Sequence, residues 1–180
     1  MTIRDTINIL ETKSQTKLEQ IKLPYQHGGL SPVMSSDLID LHYGKLYKGY
    51  VDRYNKGEGD SSFNEAGAYL HSIFFSQFKS PGASRPTGHI LDIINRHHSN
   101  FIDFKKNFKE EAMKVQGSGW VYLSKSGQIK TIKNHAKRTD IALLVDMWEH
   151  SFQHDYGSNK AKYLDSIWRI IDWNIINHRL

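Results

Sequence analysis

At 180 residues, with 38% apolar and 24% charged side chains, the chain is composed like an ordinary folded protein of one domain or two small lobes sharing a core, and no apolar run nears the roughly 18–20 residues that span a bilayer. A formal net charge of +5 comes from scattered lysines without an RNP or helix-turn-helix signature, so the basic surface suits a small anion drawn in by the field, with no nucleic acid and no membrane as partner. The absence of cysteine excludes disulfides, thiolate metal sites, iron–sulfur clusters and cysteine nucleophiles, so any metal must rest on carboxylates and on the ten histidines.

Met1-Thr2-Ile3-Arg4-Asp5 lacks the basic-then-apolar pattern of a secretory signal, and its early acid argues against a transit peptide, which places the expected compartment in the cytoplasm. Residues 1–22 read as a polar extension with weak helical periodicity in Ile7, Leu10 and Leu18, and Leu23 to Gly29 as an extended strap ending in a turn. Ser35 or Ser36 can cap a helix that runs to about Asn55, where Lys56-Gly57-Glu58-Gly59 breaks it. Within it Ile39, His42, Leu46 and Tyr50 are spaced three, four and four apart and share one face. A second helix is predicted over about Asn64–Phe78, with Gly67, His71, Phe74, Phe75 and Phe78 on its apolar side. After a Ser/Pro/Gly loop come helices over about His89–Arg96 and Asn100–Lys114, with Ser99 as the cap between them.

From Gly117 the period changes. Trp120–Leu123 and Ile129–Ile132, joined by a turn at Ser124–Gly127, read as a β-hairpin, and Ala142–Val145 as a short buried strand. From about Lys160 the chain returns to helix, burying Ile167, Ile170, Ile171 and Trp173. The layout is α+β: an N-terminal helical hairpin over 23–86, then over 87–180 a lobe with a small three-stranded antiparallel sheet and flanking helices.

Asp146 and His150 follow the buried strand. An ionised carboxylate among apolar residues is costly unless a positive group compensates it. A metal would do so; equally, Asp146 could cap a helix beginning just after the strand, with His150 hydrogen-bonded in its first turn. His42 and His71 each sit on the apolar face of a different helix, and singly each fits a hydrogen-bonded core histidine. Taken together, the three imidazoles and one carboxylate form a set that leaves a coordination position free for water or substrate. His27, His97, His98, His154 and His178 read as surface residues.

Several segments carry a resemblance to a known family. Asp146-Met147-Trp148-Glu149-His150 resembles the D-x-W-E-H motif of iron/manganese superoxide dismutases, and Gly117-Ser118-Gly119-Trp120 resembles their G-S-G-W segment. His71-Ser72-Ile73-Phe74-Phe75 is similar to the family's H-S-I-F-W helix, and Leu41 to Val51 to its H-x-x-K-H-H-x-x-Y-V segment. Tyr163 to Trp168 and Asp172-Trp173 follow its C-terminal pattern, so the resemblance runs from about Leu23 to Arg179.

The resemblance implies one Mn or Fe ion per chain, held by His42, His71, Asp146 and His150, that cycles between +3 and +2 while superoxide is disproportionated to dioxygen and hydrogen peroxide. The alternative is a catalytically inactive structural or binding member of the fold. It implies that Tyr50 guards the substrate funnel, that Trp120 and Trp148 wall the site, and that His135 partners the bound solvent. Gly67 falls where iron members often carry glutamine; its pairing with His135 occurs with either metal. The resemblance further implies a homodimer, or else a tetramer, in which Glu149 of one subunit meets His150 of the other. A second link, a histidine to a tyrosine across the same interface, is lost here, because those positions are Leu46 and Gln153. Two family tryptophans are replaced as well, by Phe75 and Tyr122.

Overall fold

A computed structural model describes residues 16–180; the expected helical periodicity of Ile7 and Leu10 lies outside them. The first helix, α1 (residues 36–56), opens at Ser35, whose hydroxyl accepts from the Leu38 amide, so Ser35 and not Ser36 is the cap. It closes at Gly57, which takes the left-handed conformation that glycine reaches without a Cβ penalty. Between those ends α1 is not uniform. Ser36–Ile39 and Lys48–Lys56 are α-helical, but Asp40–Tyr47 is a π-helical stretch. With bonds reaching i→i+5, the residue that shares the inner face with His42 is Tyr47, which is buried, while Leu46 is only half-buried. The even spacing read through Leu46 therefore fails at that one position.

Helix α2 (Ser61–Ser76) begins three residues before the sequence reading, because the Asp60 side chain accepts from the Phe63 amide and caps it. It also ends earlier: Phe78 has left the helix and bridges to Ile171. Helices α3 (His89–His98) and α4 (Phe101–Met113) follow, and the cap of α4 is Asn100, whose side chain accepts from the amides of Ile102 and Asp103. Ser99, the expected cap, instead takes a positive φ of 68° at the junction.

Strands β1 (Gly119–Ser124), β2 (Ile129–Lys133) and β3 (Ile141–Asp146) form one antiparallel sheet in the order β2-β1-β3. In this register Trp120 lies opposite Ile132 on one side and Asp146 on the other. β1 and β3 are buried along their whole length, which explains why they read as apolar runs without alternation. After a 3-10 turn at Glu149–Ser151 come α5 (Gln153–Tyr156), α6 (Lys160–Ser166), a 3-10 turn at Ile167–Ile170 and α7 (Trp173–His178). The C-terminal stretch is thus a broken helix, not a continuous one.

One hydrophobic core joins both parts of the chain. Phe74, Phe75 and Phe78 from the helical hairpin share it with Trp120, Leu143 and Val145 from the sheet and with Phe104, Phe108 and Trp168 from the flanking helices. The site described next lies where α1, α2 and β3 meet. Among the described residues no helix is long and apolar enough to cross a membrane.

Candidate metal centre

Four side chains from four elements converge at that junction. His42 comes from the π-helical stretch of α1, His71 from α2, Asp146 from the last position of β3, and His150 from the 3-10 turn just beyond it. One potential ligand atom from each lies within 4.8 Å of all the others. Asp146 Oδ2 stands 3.1 Å from His42 Nε2, 3.3 Å from His150 Nε2 and 3.9 Å from His71 Nε2. Side-chain exposure is 0% for His42, His71 and Asp146, and 18% for His150.

The hydrogen bonds around this cluster show what the nitrogens are for. His71 Nδ1 lies 2.7 Å from the Gly67 carbonyl, which can only accept, so Nδ1 carries the proton and Nε2 presents a lone pair. That Nε2 is buried without a hydrogen-bond partner. His42 Nε2 is close to Asp146 yet lacks the alignment of a hydrogen bond, and both of its ring nitrogens are unpartnered. Buried polar atoms without partners are rare, because each costs roughly 1–3 kcal/mol. Two imidazoles with orphaned nitrogens facing one carboxylate fit a cation held between them.

Asp146 does double work. Its Oδ1 accepts from the Trp148 amide at 2.8 Å, but the 3-10 turn that follows has Trp148 at its cap position and no side-chain cap, so Asp146 does not cap a helix there; Oδ2 faces the three histidines. Tyr163 and Ser151 hydroxyls donate to the Asp146 carbonyl at 3.1 and 2.9 Å, pinning the strand end. Burial alone would raise the Asp146 pKa, but the attraction and hydrogen bond of His150, with the attraction of the nearby His42, outweigh it and hold the carboxyl well below the usual range. Burial lowers the pKa of His42 and, more strongly, of His71, against the opposing pull of Asp146. An ionised Asp146 beside His42 and His71 imidazoles that burial disfavours as cations is the protonation pattern a cation needs.

The walls are aromatic. Trp148 stacks on His135, with ring centroids 4.6 Å apart and planes at 16°, and Trp120 meets His71 edge-on at 5.1 Å. Tyr50 lies 5.3 Å from the His71 ring and 4.8 Å from that of His135. His135 Nδ1 accepts from Trp120 Nε1 at 3.2 Å, so its proton sits on Nε2, a buried donor with no partner. The structure therefore brings His135, Tyr50, Trp120 and Trp148 to the edge of the four-residue cluster, while Glu149 is exposed. Gly67 makes this closeness possible, since a Cβ there would meet Tyr50 Cγ at 2.9 Å and His135 Cδ2 at 3.2 Å.

Two wall residues escaped the sequence reading. Tyr47 stacks on His71 at 5.6 Å, and Phe63 lies 4.7 Å from the His135 ring. Tyr47 is hidden from an α-helical count and is found only by counting five residues from His42. Phe63 sits in the first turn of α2, which was predicted to begin beyond it.

Comparison with known proteins follows the same lines. A family model described as iron/manganese superoxide dismutases, C-terminal domain, matches residues 86–179, and one described as their alpha-hairpin domain matches residues 17–60. An iron superoxide dismutase of Pyrobaculum aerophilum is 31% identical over 188 residues, spanning 88% of this chain and 89% of the relative. One of Bacteroides fragilis is 34% identical over 190 residues, spanning 90% and 98%. A protein of Porphyromonas gingivalis, named for manganese and iron together, is 31% identical over 188 residues, spanning 89% and 98%.

The buried histidines make a prediction for the metal-free protein. Unfolded, they take up protons as the pH falls through about 6.5. Folded, burial keeps them neutral further down, to about pH 4 for His135. The unfolded state then binds more protons than the folded one, so stability falls as the pH drops from about 6.5 towards 4. Asp146 has a depressed pKa, and its contribution is lost lower still, as the pH falls below the unfolded carboxylate value of about 3.9. Chemical denaturation of metal-free protein should show clearly lower stability at pH 4.5 than at pH 7.5. Equal stability at the two would contradict the burial of neutral imidazoles.

Proposed function

This chain belongs to the iron/manganese superoxide dismutase family, and we propose that His42, His71, Asp146 and His150 are the ligands of its one Mn or Fe ion. The observation that carries this assignment is the set of orphaned imidazole nitrogens turned towards the Asp146 carboxylate. A bound ion supplies the store for one electron, taken from a first superoxide that leaves as dioxygen and given to a second that leaves, with two protons, as hydrogen peroxide. The chain's own residues do the rest. Asp146 contributes the one negative charge that offsets the cation, and the Gly67 carbonyl fixes the His71 tautomer so that Nε2 stays available. Trp120, Trp148, Tyr50 and Phe63 exclude bulk water, which strengthens each electrostatic contact inside.

His135 acts as a hydrogen-bond donor. Trp120 occupies its Nδ1, leaving Nε2–H free to bond the water or small anion that shares the site. Tyr50 stands beside it as the gate of the substrate path. At 8% exposure it is the most open of the buried aromatic side chains packed against His71, and the Arg53 guanidinium lies 4.9 Å from its ring centroid. A positive group at that place favours approach of an anion.

Metal content and activity of purified variants test the assignment. Asp146→Ala and His71→Ala should lose the ion and all dismutation. His135→Ala should keep the ion while activity falls roughly 10–100-fold, as for residues that act through a hydrogen bond beside a metal. Full metal in either ligand variant contradicts the assignment, and a metal-free His135→Ala contradicts its role as donor.

We also place this chain in a homodimer. Support comes from one face: Leu41, Glu149, His150, Gln153 and His154 line a depression of about 480 Å³, and His150, alone of the four ligands, retains exposure there. Across a two-fold axis Glu149 would accept from His150 Nδ1 of the partner and would do so twice. With Leu46 and Gln153 unable to form a second polar bridge, Glu149 carries that contact alone. Sedimentation of Glu149→Ala over a dilution series should show dissociation at concentrations where the parent remains dimeric, with metal lost alongside. A variant that dimerises as tightly and keeps its metal would refute the contact.

A further inference from the structure

Helix α2 delivers His71 and strand β3 delivers Asp146, so their separation depends on how that helix and that strand are joined. Two residues beyond His71, α2 enters its last turn, where backbone carbonyls lack partners within the helix. Arg179 fills that place from the end of α7. Its Nη2 donates to the Ile73 carbonyl at 2.7 Å and to Ser76 Oγ at 2.9 Å. Its Nη1 donates to the Ala142 carbonyl of β3 at 2.9 Å and to Gln77 Oε1 at 3.1 Å.

Gln77 completes the join. It is fully buried, its Nε2 donates to the Leu144 carbonyl, and its Oε1 accepts from the Leu144 amide at 3.2 Å. Leu144 stands two residues before Asp146. One guanidinium and one amide thus bind the end of the His71 helix to the strand that ends in Asp146.

The choice of residue is informative. Among the described residues no carboxylate forms an ion pair with Arg179, although burying a charge is costly. Burial lowers its pKa to about 10, which still leaves it cationic at neutral pH. What offsets the charge is the negative end of the α2 dipole together with two carbonyls. A planar fork of donors can serve two elements at fixed angles, which a lysine, with a single ammonium, cannot.

We propose that Arg179, with Gln77, is a positioning residue for the metal centre, fixing α2 against β3 and so the separation of His71 and Asp146. The proposal rests on the assignment of those two residues as ligands. Its test compares Mn- or Fe-loaded parent with Arg179→Lys, Arg179→Met and Gln77→Met. Asn100→Ala serves as a control that weakens the fold at the start of α4. The readouts are the visible absorption and electron paramagnetic resonance spectra of the loaded proteins and the rate of metal release to a chelator. The Arg179 and Gln77 variants should show altered spectra and release faster by roughly 10–100-fold, while the control keeps the parent spectrum. Arg179→Lys, which keeps the charge, carries the test if Arg179→Met does not fold. Variants that melt earlier yet give spectra superposable on the parent overturn the positioning role alone. A parent that takes up neither metal overturns the ligand assignment and this proposal with it.

Discussion

The constraint on which the rest depends is an ionised carboxylate with no solvent exposure, facing three imidazoles, of which burial disfavours the charged form of two, His42 and His71. An anion in such a place is stable only if a cation joins it. Burial keeps His42 and His71 from supplying that charge, and their unpartnered nitrogens mark where it sits. Each element around the site can be read as a device that brings one donor to this point. The π-helical stretch turns His42 inward, the Gly67 carbonyl fixes His71, and hydroxyls from Tyr163 and Ser151 hold the backbone of Asp146.

The second layer of the site governs what reaches it. Trp120 connects the two layers, since it lies beside Asp146 in the sheet and fixes the tautomer of His135 through its indole N–H. His135 can approach Tyr50 only because residue 67 has no side chain, so the shape of the gate is written partly into α2, away from the funnel itself. The aromatic wall also concentrates the effect of any charge placed at the mouth, because little water remains to screen it.

Much of this was legible in the chain. The order of helices and strands follows from caps, breakers and the change of period at Gly117, and the three-stranded sheet from two apolar runs and a hairpin turn. His42, His71, Asp146 and His150 stand out as polar residues on apolar faces or just after a buried strand, but it is the resemblance of their segments to the family's motifs that implies them as one ligand set. What the sequence hides has definite causes. A π-helical stretch changes the period within a helix, so Tyr47 replaces Leu46 on the inner face without any signal in composition. Asn100 outcompetes Ser99 as a cap because the junction forces Ser99 to a positive φ, a tertiary effect. The join made by Arg179 links residues about 100 positions apart, and a lone arginine near a helix end gives no hint of its partners.

The central claim is that four side chains share one ion. A crystal structure of protein grown with manganese and iron available, with anomalous diffraction collected at both absorption edges, tests it most directly. The account predicts a single anomalous peak per chain, within bonding distance of His42, His71 and His150 nitrogens and an Asp146 oxygen, at about 2.0–2.2 Å. A protein that crystallises with that position empty, or with its manganese or iron bound elsewhere on the chain, would contradict it.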